Sequence, residues 1–151
     1  MRTDNRLFRI LHALLHMARD TRVYTSEELA KMLSTNAVIV RRTMASLREE
    51  GYVHSEKGHG GGWQLSCDLD KVTLLDIYQA VGKPTIFNIG VSDSQSDCMI
   101  EKVVNDSISE AMNEAESLIL KKFGDTKLSK LGNKLDKLLP GNSSSSSRHK
   151  R

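Results

Sequence analysis

The sequence has few cysteines and no long apolar segment. Only two of its 151 residues are cysteines, Cys67 and Cys98, and they lie far apart in the chain. A small disulfide-held domain is therefore not expected, and a reducing compartment argues against a bond between the two. No apolar run approaches the ~18 residues that a membrane span needs, and no small-residue cleavage pattern follows the amino-terminal arginines. We expect a soluble, cytoplasmic protein with no membrane partner.

Motifs of common enzyme sites are also missing. Residues 60–62 are three consecutive glycines, but the Lys-Ser/Thr of a phosphate-binding loop does not follow them, and there is no nucleophile elbow. His12 and His16 lie four residues apart, yet a metal ion needs three or four ligands and no further ligand converges on them. We expect no enzyme and no metal site, and we interpret the two histidines as a solvated helix face.

Positive charge is concentrated in the amino half of the chain. Residues 1–66 carry ten Lys and Arg against seven Asp and Glu, whereas residues 67–139 carry nine against twelve. This distribution suits a polyanionic partner for the first half only.

Apolar residues recur at helical spacing through the first 50 residues. They predict a first helix capped by Asp4 or Asn5 that ends near Arg19, and a short second helix that begins at the capping box Thr25-Ser26-Glu27-Glu28. A third helix is expected to end at Gly51. Its predicted buried residues are Ala37, Val40, Met44 and Leu47, and its predicted outward residues are Arg41, Arg42 and Arg48. Two helices joined by a tight polar turn, the second of them basic, indicate a helix-turn-helix.

Five glycines lie within the stretch Glu49–Leu65. Short alternating runs at residues 52–55 and 63–65 predict two strands of a β hairpin with residues 57–62 at its tip. Glycine permits positive φ in such a turn and lets backbone amides approach an anionic surface closely. The hairpin is therefore predicted to be a wing, with Trp63 packed at its base.

The rest of the chain is predicted to form three more helices. Thr73 is expected to cap a fourth helix, residues 98–123 form a long helix of roughly 38 Å at ~1.5 Å per residue, and Thr126 opens the last one. The apolar stripe from Ile100 to Ile119 is predicted to pack against the same helix of a second subunit, although packing onto its own domain is the alternative. We predict a mostly α fold with a small β-hairpin wing: a winged helix-turn-helix over 1–82, a linker loop over 83–97, dimerisation helices over 98–139 and a disordered tail over 140–151.

The stretches TNAVIVRRTMASLREEGYVHSEKGHGGGWQL and VTLLDIYQAVG together resemble the Rrf2 family of bacterial winged-helix transcription regulators. The Val-Arg-Arg core of the third helix and the Gly-Gly-Trp end of the wing are more similar to its YwnA-like branch, which has no iron–sulfur cluster. The resemblance implies a homodimeric repressor that binds a partly palindromic operator in double-stranded DNA. The third helix would lie in the major groove and the wing at the adjacent minor groove.

The resemblance also implies which residues contact DNA. The predicted set is Ser26, Thr35, Asn36, Val38, Ile39, Arg41, Arg42, Lys57, Gly58, His59, Gly60 and Gly61. Arginines on the third helix can donate two hydrogen bonds to guanine, whereas the wing would mainly hold phosphates. The family often has Arg at position 57 and Pro at position 59, and lysine lacks the planar fork of arginine, so a weaker preference for a narrow groove is expected.

Members of the family that bind a cluster carry three cysteines before and into the long helix, where this sequence has Cys98 alone. We expect no cluster, since it needs about four ligands, and no other cofactor. The amino end of a helix lowers a thiol pKa, while Asp97 and Glu101 would raise it. Cys98 is thus a candidate redox-sensing residue, with an inert, half-buried cysteine as the favoured alternative; Cys67 is expected to pack inward.

A different class of function is also compatible with the fold. A winged-helix module that contacts another protein and no longer binds DNA would have an acidic or apolar surface on its third helix. Arg41, Arg42 and Arg48 argue against this alternative.

Overall fold

The computed structural model describes residues 4–90 and 97–139. Over these ranges it contains six helices and one antiparallel hairpin: α1 (Arg6–Arg19), α2 (Ser26–Met32), α3 (Ala37–Glu49), β1 (Val53–Glu56), β2 (Gly62–Leu65), α4 (Leu74–Ala80), α5 (Met99–Gly124) and α6 (Leu128–Leu138). No helix in the described part is long and apolar enough to cross a bilayer. The predicted disordered tail over 140–151 and residues 91–96 of the predicted loop lie outside the described residues.

The core forms where the apolar stripes of α1, α2 and α3 meet. Ile10, Leu14 and Met17 of α1 are buried because they recur at helical spacing on one face. Asn5 is the N-cap residue of α1, but its side chain makes no capping hydrogen bond. The Asp4 carboxylate instead accepts from the Arg6 amide at 3.1 Å.

The helix-turn-helix is formed by α2 and α3. The predicted capping box starts α2: the Thr25 hydroxyl accepts from the Glu28 amide at 3.1 Å, and the Glu28 carboxylate accepts from the Thr25 amide at 2.8 Å. Three of the residues predicted to be buried in α3 are buried, namely Val40, Met44 and Leu47. Ala37 is only partly buried, because it lies in the first turn of α3. Gly51 follows the helix with φ 81°, as expected for a glycine after a helix end.

A third segment extends the hairpin at its base. Strand β1 pairs with β2 in the register Val53↔Leu65 to Glu56↔Gly62. On the other side of β2, Tyr24 exchanges two backbone hydrogen bonds with Trp63, at 2.8 and 2.7 Å. A Cβ on Gly62 would lie 2.2 Å from the Tyr24 carbonyl oxygen. Gly62, predicted at the tip, is therefore part of the strand, and it is glycine because a second backbone passes so close.

Helix α6 packs against α1 and joins the core of the amino-terminal part. Leu128 is fully buried, the Leu128 amide donates to the Val72 carbonyl at 2.9 Å, and Arg19 pairs with Asp136 at 3.2 Å. The sequence prediction grouped α6 with the dimerisation helix and did not foresee this packing. Thr126 does not cap α6: its hydroxyl donates back to the Lys122 carbonyl at 2.8 Å, and Lys127 occupies the N-cap position.

Helix α5 buries none of its 26 residues in the single chain. It begins one residue later than predicted and spans roughly 39 Å at ~1.5 Å per residue. One side contacts α4 and is half-buried, while the apolar stripe on another side is exposed, with Ile100 at 77% and Leu118 at 69%.

Candidate nucleic-acid interface

The outward face of α3 combines two arginines with an exposed apolar side chain. Arg41, Arg42 and Asn36 are exposed, and Val38 is 61% exposed in the first turn. Ile39 and Thr35 are half-buried beneath them. Guanidinium groups suit guanine edges and phosphates, and an exposed aliphatic group suits the methyl group of thymine. Six of the predicted contact residues are therefore brought together on one turn and one helix face.

Asn36 has a structural role that the sequence prediction missed. It is the N-cap residue of α3, and its Oδ1 atom accepts a hydrogen bond from the Ile39 amide at 3.0 Å. The signal was present, because asparagine directly before an apolar-periodic helix is a preferred N-cap. Its side-chain oxygen is engaged, while the amide nitrogen retains its donors.

The two arginines of α3 differ in their surroundings. Arg41 Nη2 donates to Glu27 Oε1 at 2.8 Å, and the side chains of the pair are 55% and 66% exposed. Within the described ranges Arg42 makes no ion pair or side-chain hydrogen bond. An exposed pair contributes about 0–1 kcal/mol, so the contact with Glu27 does not prevent Arg41 from bonding to another partner.

The wing tip presents a cation and open backbone amides. Lys57 and His59 are exposed, and no carboxylate of the described part pairs with either. Gly58 and Gly60 have φ values of 91° and 75°, so the tip needs glycine at both positions. The conformation that was expected from the glycine run is therefore present at the tip.

Arg48 joins the wing to α3. Its guanidinium carbon lies 5.8 Å from the centre of the Trp63 ring, and Nη1 donates to Ser55 Oγ at 3.4 Å. Trp63 is 7% exposed, in agreement with the predicted position at the wing base. Arg48 thus connects the end of α3 to the wing.

Ser26 lies apart from the outward surface. It is 8% exposed, and its hydroxyl accepts the indole N–H of Trp63 at 3.0 Å. The indole N–H needs a partner when the ring is buried, and the hydroxyl of the first residue of α2 supplies it. We therefore do not include the Ser26 side chain in the surface available to DNA.

The two histidines of α1 contact each other. Their Nε2 atoms lie 3.0 Å apart, so one nitrogen donates and the other accepts. Partial desolvation lowers the pKa of His16, and the neighbouring His12 and Arg19 lower it further. The expected solvated face is only partly realised, since His12 is half-buried and His16 is exposed.

The two cysteines have opposite environments. Burial raises the pKa of Cys67, which is half-buried against the core as predicted. Cys98 is exposed at the N-cap position of α5, so the expectation of a half-buried side chain was wrong. The Glu101 and Ile100 amides in the first turn of α5 lower the pKa of Cys98.

A family model, Rrf2, described as "Iron-dependent Transcriptional regulator", matches residues 4–134. The chain belongs to the Rrf2 family. This membership confirms the resemblance, and the family is one of transcription regulators, not of enzymes. YwgB of Bacillus subtilis (strain 168), named as an HTH-type transcriptional regulator, is 32% identical over 103 residues, which cover 62% of this chain and 65% of YwgB. The match thus spans slightly less than two thirds of the length of that relative.

Two further comparisons cover more of both chains. YwnA of the same organism, also named as an HTH-type transcriptional regulator, is 26% identical over 113 residues, which cover 75% of this chain and 84% of YwnA. The crystal structure of a transcriptional regulator from Lactobacillus plantarum has a TM-score of 0.71 at 23% identity and covers 91% of this chain and 93% of its own. These likenesses confirm the predicted fold, a winged helix-turn-helix with a long carboxy-terminal helix.

The family description includes iron, but the side chains of this Rrf2 protein do not fit an iron–sulfur cluster. A cluster is held by about four ligands, mostly thiolates, and the whole sequence has two cysteines. Over 4–90 and 97–139 no group of three or more His, Cys, Asp or Glu side chains is placed to hold a metal ion.

Proposed function

We propose that the protein is a homodimeric, sequence-specific DNA-binding transcription regulator of bacteria that acts as a repressor. Helix α3 would enter the major groove, and the tip of the wing would contact the adjacent minor groove. Since its partner would be chromosomal DNA, we place the protein in the cytoplasm.

The observation that carries the proposal is the set of exposed cations on α3 and at the wing tip. Arg41 and Arg42 are exposed on α3, Lys57 is exposed at the wing tip, and Arg48 of α3 contacts the wing. Arginine and lysine neutralise phosphates, and arginine can read guanine. A winged-helix module that no longer binds DNA would have an acidic or apolar surface on α3, and the exposed arginines argue against it, which makes DNA the favoured partner.

Helix α5 supports a dimer. Its exposed apolar residues Ile100, Val104, Ala111 and Leu118 recur at spacings of four and seven residues, which places them on one face. Monomeric proteins rarely expose a long apolar stripe, and the same stripe of a second chain is the simplest cover. A twofold dimer with both α3 helices on one side of the duplex would read half-sites about 34 Å apart.

A dimer on two half-sites covers a stretch of duplex that no other protein can occupy at the same time. At a promoter this exclusion blocks transcription, and we therefore propose repression. A partly palindromic operator follows from the twofold symmetry of the dimer.

The test is gel retardation of the DNA upstream of the protein's own gene, with a scrambled duplex as competitor. We expect wild-type protein to retain the upstream DNA in excess competitor. Arg42→Ala should lose about 1–3 kcal/mol of discrimination, as for a base-reading arginine. Lys130→Ala removes the same charge from the exposed side of α6 and should bind like wild type. Equal, weak binding to both duplexes, or none, would sink the proposal.

The dimer is tested by light scattering. Wild-type protein should have the mass of two chains, and Leu118→Glu should shift it towards one chain, since a buried carboxylate in an apolar seam is costly. Asn113→Glu introduces the same group at an exposed position on the opposite side of α5 and should remain dimeric. A wild-type monomer at all concentrations would contradict the proposed assembly.

A further inference from the structure

Glu27 is an acidic residue on a surface that would face a polyanion. It lies in the first turn of α2, it is 66% exposed, and its Oε1 accepts from Arg41 Nη2 at 2.8 Å. The pair joins the two helices of the helix-turn-helix across 14 residues of sequence. A carboxylate at this place repels phosphates, so affinity for DNA does not explain why an acid lies there.

The start of α2 does not depend on Glu27. The capping box is formed by Thr25 with Glu28, whose carboxylate accepts the Thr25 amide. Glu27 therefore contributes to α2 mainly through its charge near the positive end of the helix, an effect of a few tenths of a kcal/mol to about 1 kcal/mol for an exposed residue. Its specific contact is the one with Arg41.

A carboxylate that holds one edge of a guanidinium orients the remaining N–H donors. Arginine presents its donors in a rigid planar fork, and the bond from Nη2 to Glu27 leaves other donors of Arg41 free. A long exposed side chain otherwise samples many rotamers and contacts phosphates without sequence preference. Arg42 lacks such an anchor within the described residues.

Given the DNA binding proposed above, we propose that Glu27 is a positioning residue for base recognition by Arg41. It orients the guanidinium towards a guanine edge and at the same time lowers the affinity of the surface for DNA in general. Glu27 thus lowers the general affinity for DNA and raises the discrimination between base pairs. Removal of an ordinary DNA-contacting residue would have the opposite effect on general affinity, because it weakens binding to every sequence.

The test is selection of bound duplexes from a randomised library, followed by titration of the selected duplex and of each single base-pair change. Arg41→Ala first identifies the base pair that Arg41 reads. At that base pair, Glu27→Ala should lower discrimination at least about five-fold, the low end of a two-bond arginine–guanine contact. Affinity for a scrambled duplex should rise, because a charge that repels phosphates is removed. In the Arg41→Ala background, Glu27→Ala should change discrimination no further.

Glu49→Ala is the matched control. Glu49 is an exposed acid at the end of α3, eight residues beyond Arg41 and roughly 12 Å further along the helix at ~1.5 Å per residue. The Glu49→Ala substitution removes the same charge, and the variant should retain wild-type discrimination at every base pair. Any gain in general affinity that is due to charge alone should appear in both variants.

Three results would overturn the role of Glu27 and leave the proposed function intact. In the first, Glu27→Ala discriminates between base pairs as well as wild type. In the second, Glu27→Ala loses as much discrimination in the Arg41→Ala background as it does in wild type. In the third, Arg41→Ala selects the same sequence as wild type. A wild-type protein that selects no sequence would instead overturn the proposed function, and the role of Glu27 with it.

Discussion

The close approach of Tyr24 to the wing predicts a severe effect for Gly62→Ala. The added Cβ would lie 2.2 Å from the Tyr24 carbonyl oxygen and 2.7 Å from its carbon, both of them backbone atoms that cannot rotate away. Ordinary contact begins at 3.4 Å, so the two backbones would have to separate by about 1.2 Å. The Tyr24–Trp63 hydrogen bonds, now 2.8 and 2.7 Å, would be broken by that separation.

The expected cost follows from these distances. Two backbone hydrogen bonds are worth about 1–3 kcal/mol together, and forcing an extra group into a packed region costs about 1–3 kcal/mol. Separation of the strands breaks the hydrogen bonds but relieves the overlap, so the two costs do not add in full. We expect a loss of about 2–4 kcal/mol in the free energy of unfolding. That is a large share of the ~5–15 kcal/mol of a typical domain.

Urea unfolding followed by circular dichroism, at one fixed protein concentration, measures this loss. Gly132→Ala is the matched control, because Gly132 lies within α6 and a Cβ there meets no atom within 4 Å. It should raise stability by about 0.5–1 kcal/mol, since alanine is the better helix former. A Gly62→Ala variant within about 0.5 kcal/mol of wild type would refute the reasoning, because surface substitutions without such a clash fall in that range.

Three further predictions follow from burial and titration. Leu128→Ala should cost about 2–5 kcal/mol in urea unfolding, since Leu128 is fully buried, whereas Leu138→Ala, at an exposed position of the same helix, should change little. Partial desolvation is the main cause of the lowered pKa of His16, so the unfolded chain binds more protons than the folded one, and stability should fall as the pH drops through about 6.5. Urea unfolding across this pH range should show a flatter fall for His16→Gln. In a Cys67→Ser background, the iodoacetamide reaction of Cys98 should reach half its maximal rate at a lower pH than a free thiol, because the Glu101 and Ile100 amides lower its pKa. An ordinary thiol profile, together with DNA binding that oxidant does not change, would remove Cys98 as a redox sensor.

Local patterns in the sequence predicted most elements of the fold. The capping box at Thr25, the buried stripe of α3 and the stop at Gly51 each depend on residues within one or two helical turns. Such short-range interactions leave a signature in spacing and residue type. The packing of α6 onto α1 left no such signature, because an amphipathic helix shows that it has a buried face without showing what covers it.

The sequence prediction of the interface stayed incomplete where a side chain bonds to a residue distant in sequence. Ser26 and Glu27 are neighbours at the start of α2, and both look like polar surface residues in the sequence. Helical geometry turns them to different sides, so that the Ser26 hydroxyl meets Trp63, 37 residues away, while the Glu27 carboxylate meets Arg41, 14 residues away. No periodicity links these pairs, since each depends on how two elements pack. The residues that orient the wing and the arginine are therefore visible only in the structure, whereas the arginine and the glycine tip are visible in the sequence.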